Sequence, residues 1–374
     1  MTMKVDTYAP DLAVQIMGKL FGSDPKVIGA NRTFDVISVS VTDTIDRIDS
    51  FTLAVREHSP EPARFAGGGK LFWLDDPLFE EANEVSIEMG YVNNRAFKFL
   101  GEITNLAASF PESGAPTLTV SGSSLQNRLQ RHRADQPFTN VTDSQIAQKI
   151  ADSAHLATNI EQTDITYPMV SPNNAHLQEF LRRRAERIGY EFFVKGKTLH
   201  FHKPGYIKKL SPAMTLEWGR NLLSFNFNLS THNLHTQTIV QGSATAHGGD
   251  KTELVGKVTA GNESVKMGDI SGSELAQDRF KDTTTMTDDH DVTNPKDAQV
   301  RAQADHDAKA LNFIKANGAC MGNPQLVAGI VLQISGIGKR YSGPYYVVST
   351  THTIDANGYR TTFEVKRNAR NATS

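Results

Sequence analysis

The densest run of side chains that could hold a cation is Asp288-Asp289-His290-Asp291. Carboxylates beside an imidazole suit a divalent metal. The run lacks the spacing and the glycine of an EF-hand loop and sits in a polar stretch, so it reads as a solvated loop. His200 and His202 stand two apart and would share one face of a strand. No third ligand is evident near them, and they read as a partly exposed strand pair, with His232 and His235 in a strand connection. Gly67-Gly68-Gly69-Lys70 could suggest phosphate binding, but the phosphate-loop spacing is absent and a strand pattern follows where a helix should; it reads as a hairpin loop. Arg128, Arg131, His132 and Arg133 could touch nucleic acid. Against a net charge of -2 they read as a subunit contact or a solvated helix end. Ser121-Gly122-Ser123 is not a nucleophile elbow, and nothing marks a glycosidase pair among the 41 acidic residues. The expectation is a protein with no catalytic residues, no cofactor and no metal.

Composition narrows the class further. At 374 residues the chain should hold two to four domains. Its 39% hydrophobic content is enough for real cores, and its near-neutral charge recruits neither nucleic acid nor anionic membrane in bulk. One cysteine, Cys320, rules out an intramolecular disulfide and a cysteine-rich zinc site. The N-terminus lacks the pattern of a secretory signal. No segment approaches the roughly 20 apolar residues that span a bilayer. Synthesis and solubility in the cytoplasm are expected.

The elements that must position these groups are mostly strands. Val36–Val41 alternates apolar and polar residues, and Phe51–Val55, Lys70–Leu74, Val85–Met89, Phe97–Leu106 and Thr117–Ser121 continue the pattern. Regularly spaced short strands suggest a barrel or sandwich. Leu12–Leu20 reads as a short helix ahead of it. Thr142 and Gln145 form a capping box for a helix carrying Ile146 and Ile150. A second helix over roughly Ala175–Ile188 has an apolar stripe that includes Phe180, Leu181 and Ile188, with Gly189 as its stop. Arg182, Arg183, Arg184 and Arg187 mostly fall on its wet face, paired with Glu179 or Glu186. Two strands follow, Tyr190–Val194 and Thr198–His202. Leu222–Leu229 alternates strongly, whereas the polar stretch Gly242–Asn294 reads as a surface excursion. After an alanine-rich helix over Lys296–Leu311, the chain ends in glycine-punctuated strands from Gly322 to Asn368. There Asn357-Gly358 is a strong hairpin signal.

Three sets of residues carry a resemblance. They are Phe180–Arg183 with Glu186, Gly189 and Tyr190; Gly322-Asn323-Pro324 with Gly329; and Ser342–Val347 with Thr351-His352-Thr353 and Gly358–Thr361. With them the chain resembles the phage late control protein D family, related to the baseplate hub of contractile-tailed phages and to the N-terminal hub part of the VgrG spike protein. The resemblance covers about Val36 to Asn368. It implies a mainly β fold with an α/β insert: a first tube-like barrel over 1–125, an insert over 126–210, and a second barrel over 211–374 with its excursion at about 242–295. It further implies a homotrimeric hub that adapts a six-fold tail tube to a three-fold spike. The partners would be the tube ring, a separate spike protein and other baseplate proteins, with DNA or protein cargo passing through the lumen. Such a protein would be made in the bacterial cytoplasm and built into a phage tail or injection particle.

The residues expected to matter are therefore structural. Gly329, Gly343 and Gly358 permit turns. Phe180, Leu181, Ile188 and Gly189 anchor the insert. Trp218, Phe225 and Phe227 seed the second barrel, and Tyr346 and Tyr359 belong to its motifs. A tail-associated cell-wall hydrolase and a carbohydrate-binding tail module are the alternatives from other classes. Peptidoglycan lysis, and glycan binding lost on deleting Leu125–Pro204, would mark them.

Overall fold

A computed structural model describes residues 9–17, 19–21, 36–57, 73–232, 234–245 and 251–372. The chain opens with β1 (Pro10–Ile16) and β2 (Lys19–Phe21), then β3 (Val36–Thr44), β4 (Ser50–Arg56), β5 (Glu84–Tyr91), β6 (Asn94–Ser109) and β7 (Thr117–Ser124). The helix expected over Leu12–Leu20 is a strand instead. Val14 and Ile16 are fully buried and Leu12 packs beside them, a two-residue period that pairs β1 antiparallel to β5. The Gly67–Lys70 loop and most of the strand expected at Lys70–Leu74 lie outside the described residues. Trp73–Asp75 is a turn, with the Glu57 carboxylate accepting from the Trp73 and Leu74 amides at 3.0 and 2.9 Å.

The α/β segment runs α1 (Gln126–Arg131), β8 (Phe138–Thr142), α2 (Asp143–Ser153), β9 (Ala157–Ile160), β10 (Thr166–Val170), α3 (Leu177–Arg187), β11 (Glu191–Lys195), β12 (Thr198–His202) and α4 (Gly205–Lys208). Its capping box forms: Thr142 Oγ1 accepts from the Gln145 amide at 3.3 Å while Gln145 Oε1 accepts from the Thr142 amide at 3.0 Å. The apolar stripe of α3, Phe180, Leu181 and Ala185, packs on Phe192, Val194, Leu199 and Phe201. Burying one such aromatic side chain contributes about 2–3 kcal/mol. Gly189, at φ +68°, turns the chain out of α3.

The remainder holds β13 (Met214–Glu217), β14 (Leu222–Leu229), β15 (Gln237–Thr245), β16 (Lys251–Thr259), β17 (Ile270–Ser271), α5 (Gly272–Phe280), β18 (Thr284–Asp288), α6 (Pro295–Ala310), β19 (Ile314–Met321), β20 (Val331–Ser335), β21 (Gly343–Asp355), β22 (Gly358–Arg367) and β23 (Ala369–Arg370). The polar excursion is therefore a folded unit. β16 pairs antiparallel and β18 parallel with β15, and α6 covers the sheet through Val240, Leu254, Val258, Val292, Ala298 and Ala302. Only one face of that small sheet is buried, which leaves the segment polar on average. Asn294 caps α6 by accepting from the Asp297 amide at 3.0 Å. Gly256 lets α6 sit against β16: a Cβ there would lie 2.0 Å from the Ala298 carbonyl oxygen.

One large sheet joins both ends of the chain, in the order β14-β19-β22-β21-β3-β4-β7-β6-β5-β1-β2, with β20 on β21 and β13 on β20. The β21–β3 ladder, running from Ser349↔Thr44 to Ile354↔Val39, fuses N-terminal and C-terminal strands. On one face of this sheet Val39, Phe51, Leu53 and Val120 form the first core, and Phe313, Leu332, Tyr345 and Phe363 the second. His352 ties the two together. It is fully buried, stacked on Phe97 with centroids 4.0 Å apart, and within 2.9 Å of the Leu326 carbonyl and 2.7 Å of the Tyr359 hydroxyl. Burial pushes its pKa down to about 4, so the ring is neutral at pH 7.

Candidate assembly surface

The strands from β14 through β22 and β3 to β6 make an eight-strand run that begins at an edge strand and, beyond β6, continues into β5, β1 and β2 along only part of β6. β14 is bonded along its length to β19, and on its other side, among the described residues, it has only the Leu222↔Trp218 bridge. At the other end β5 follows β6 only as far as Glu84↔Glu102, so residues 104–109 pair with β7 and, among the described residues, with no strand on their other side. Apolar side chains cluster at these ends. Leu223, Phe227 and neighbouring Met321 are 49%, 39% and 48% exposed, and Phe110, just past β6, is 58% exposed. Free backbone donors beside exposed apolar groups are what a pairing edge presents.

The residues singled out in the sequence scatter over this frame. Phe180 and Leu181 are buried in the α/β core and Ile188 is half-buried there. Phe225 packs edge-on against Tyr345 at 5.5 Å, and Phe227 lies on Tyr341 at 4.4 Å with its outer side open. Trp218 seeds no core: it is 52% exposed, because it follows β13 in the turn leading to the edge strand. Gly329 and Gly358 adopt φ +89° and +100°. Gly358 closes the hairpin between β21 and β22. Gly343, at φ +149°, passes so close to Arg367 that a Cβ would meet Nη2 at 2.6 Å. Tyr359 reaches His352, and Tyr346 donates to both Glu191 oxygens at 2.7 and 2.8 Å. Burial raises Glu191 to about 7.

The chemical candidates resolve into contacts. No group of three or more His, Cys, Asp or Glu residues that could hold a metal occurs among the described residues. Asp288, His290 and Asp291 are exposed, but Asp289 is not a solvated loop residue: it accepts from Arg187 and lies 3.6 Å from Arg301. Arg187 also donates to Asp297 at 3.3 Å, and the Tyr167 hydroxyl donates to Asp297 at 3.1 Å. The wet-face reading of the α3 arginines holds for Arg182 and Arg183, which pair with Glu179. It fails for Arg184 and Arg187, which are buried, Arg184 donating to Asp143 at 2.5 Å. Their carboxylate partners lie in distant elements, so helical spacing could not reveal them. His200 stacks on Phe193 at 4.8 Å, and burial lowers its pKa to about 4. His232 is exposed and His235 half-buried. Arg128 donates to Glu102, and Arg133 to the Asn174 carbonyl at 2.7 Å.

A junction missed in the sequence fastens three regions. Lys195, at the end of β11, reaches Asp43 of β3 at 3.0 Å and the Ala328 carbonyl at 3.2 Å, while the Ala328 amide donates to Asp43 at 2.8 Å. Asp49 sits beside them, raised to about 8 by burial and then by the Asp43 charge. Arg367 plays a similar part at the C-terminal end. Fully buried, it donates to the carbonyls of Met267 and Tyr341 at 3.0 and 2.9 Å.

This two-core sheet with peripheral α/β units is a fold found in phage tail proteins. It is similar to the 43 kDa tail protein of prophage MuSo2 from Shewanella oneidensis, at 14% identity over 96% of this chain and 98% of that one, with a TM-score of 0.70. The tail protein from Neisseria meningitidis MC58 matches at 14% identity over 96% and 97%, with a TM-score of 0.66. The E. coli c3393 protein, a type VI secretion component, matches at 12% identity over 90% and 76%, with a TM-score of 0.57. No curated protein matches the sequence. The Alg8 N-terminal domain family model matches residues 26–356, and the chain belongs to that family. The tail-protein likeness implied by the sequence motifs is thus present in the fold, although the matching family model is named for Alg8 and not for late control protein D.

Proposed function

We propose that the chain is a non-enzymatic structural subunit of a baseplate hub, in a contractile phage tail or a related injection machine. Three copies would form a ring between the tail tube and the spike. The observation that carries this reading is the eight-strand run that crosses both cores and leaves free strand edge along β14 at one end and along residues 104–109 of β6 at the other. Head-to-tail pairing of β14 in one copy with the free part of β6 in the next would close such runs into a ring and satisfy both edges. Each copy would supply two barrel units, about 1–125 and 211–374, with 126–210 and the folded 234–310 unit at the periphery. Three copies would then present six barrels, which suits a six-fold tube above and a three-fold spike below. The tail-protein neighbours support the same role. Light scattering across a concentration series tests it: the expected limit is three times the 41.1 kDa chain mass. A chain that stays monomeric at high concentration and yields no trimer from assembled particles would refute it.

A further inference from the structure

The face of the eight-strand run opposite the two cores has an unusual composition. Past Ile37, which is exposed at the start of the strand, the outward residues of β3 up to Thr42 all bear a hydroxyl: Ser38, Ser40 and Thr42. On β7 the outward residues are Thr117, Thr119, Ser121 and Ser123, and between these strands β4 turns out Ser50 and Thr52. The register sets them in rows that pass from one core region to the other. One row links Thr362, Thr351, Thr42, Ser50 and Ser123 across five strands. The next links Thr353, Ser40, Thr52 and Ser121. Where the two regions meet, Thr42 and Thr351 share a hydrogen bond of 3.1 Å, and Ser40 and Thr353 one of 3.3 Å. All of these residues are exposed or half-buried, so the face is uncovered. Charges gather toward the β22 side, where Arg360 and Glu364 are of opposite sign.

Protein interfaces concentrate aromatic residues and methionine in their cores and are depleted in serine. This face has the reverse composition and is poorly suited to docking. Its centre is also nearly free of charge, so a charged polymer of either sign would find nothing there to hold it. We infer, resting on the ring reading above, that the hydroxyl face is the wall of the central channel. It stays wet after assembly and lets a hydrated polymer pass without adhering. The β3–β21 ladder suits that use, because it carries the wall without a break from one barrel unit to the next.

The native thiol background is silent, since Cys320 is buried and burial raises its thiol to about 12. The full chain carrying Thr52→Cys, with Thr119→Cys as a second position, can therefore be labelled before and after ring formation, and Gln148→Cys on the exposed side of α2 serves as an outer control. A small methanethiosulfonate should react with Thr52→Cys in the ring within a factor of a few of its rate in free subunits. A maleimide carried on serum albumin should slow by an order of magnitude or more in the ring, yet still label the control. Reaction of both reagents in the ring would place the face outside, and protection from both would make it a subunit contact; either overturns the assignment. Failure of the unsubstituted chain to form a ring would instead overturn the reading beneath it.

Discussion

Asp297 is a buried charge held by several partners. It is fully buried and accepts from Arg187, from the Tyr167 hydroxyl and from the Thr293 amide at 3.0 Å. Asp297→Ala should cost about 3–5 kcal/mol, because it breaks a buried ion-pair network, leaving Arg187 with Asp289 alone and the Tyr167 hydroxyl without its acceptor. Urea unfolding measures this, and a loss below about 1 kcal/mol would mean the network does not hold the domains. Asp49 gives a pH signature. Its folded pKa of about 8 lies above the ordinary 3.8, so the folded state binds the extra proton. That stability is complete below pH 4 and is lost as pH rises toward 8. Asp49→Asn keeps the acceptor for the Thr44 amide, which lies at 2.8 Å in the parent, and should remove this slope. Relative to the parent, the variant should gain stability between pH 5 and pH 8; parallel curves would contradict the assignment. None of these partnerships was visible in the sequence. A run such as Asp288–Asp291 shows that charges are present, but the arginines that meet them are supplied by α3 and α6 through tertiary packing.

Among the elements, those with strong local signals matched the structure best. The Thr142–Gln145 capping box and the stripe Phe180-Leu181-Ala185 depend on neighbours three or four residues away, and both formed as read. Local patterns misled where one face decides the outcome. Leu12, Val14 and Ile16 also fit a strand, and only the availability of β5 as a partner settles the matter. The 242–294 stretch read as a surface excursion because its small sheet needs α6, more distant in sequence, to cover it. The fit between α6 and β16 is tight enough to test. Gly256→Ala would drive a Cβ into the Ala298 backbone, and overpacking of this kind costs about 1–3 kcal/mol. Hydrogen exchange should then accelerate across α6, β15 and β16 while the α/β core around Phe180 keeps its protection. Unchanged protection in α6 would show that the helix yields without cost.

For the molecule as a whole, the sequence carried the mainly β class and the tail-protein likeness but could not set strand register, and register fixes both the hydroxyl face and the free edges. A shift of one residue would exchange Thr42 and Thr351 for buried neighbours. The edges make the assembly separable from the fold. Leu223 is half exposed in the single chain, so lysine there should change its stability by no more than about 0.5 kcal/mol, while lysine at Phe227 gives up the Tyr341 contact at a cost of about 0.5–1.5 kcal/mol. In a ring closed through β14 the same lysines would lie at the joint between copies, where charge on an edge strand blocks pairing. The double variant should therefore keep the parent's circular dichroism and cooperative unfolding as a monomer, with a small drop in midpoint, and lose the trimer in light scattering. A trimer that persists with unchanged affinity would show that β14 is not the joint between copies.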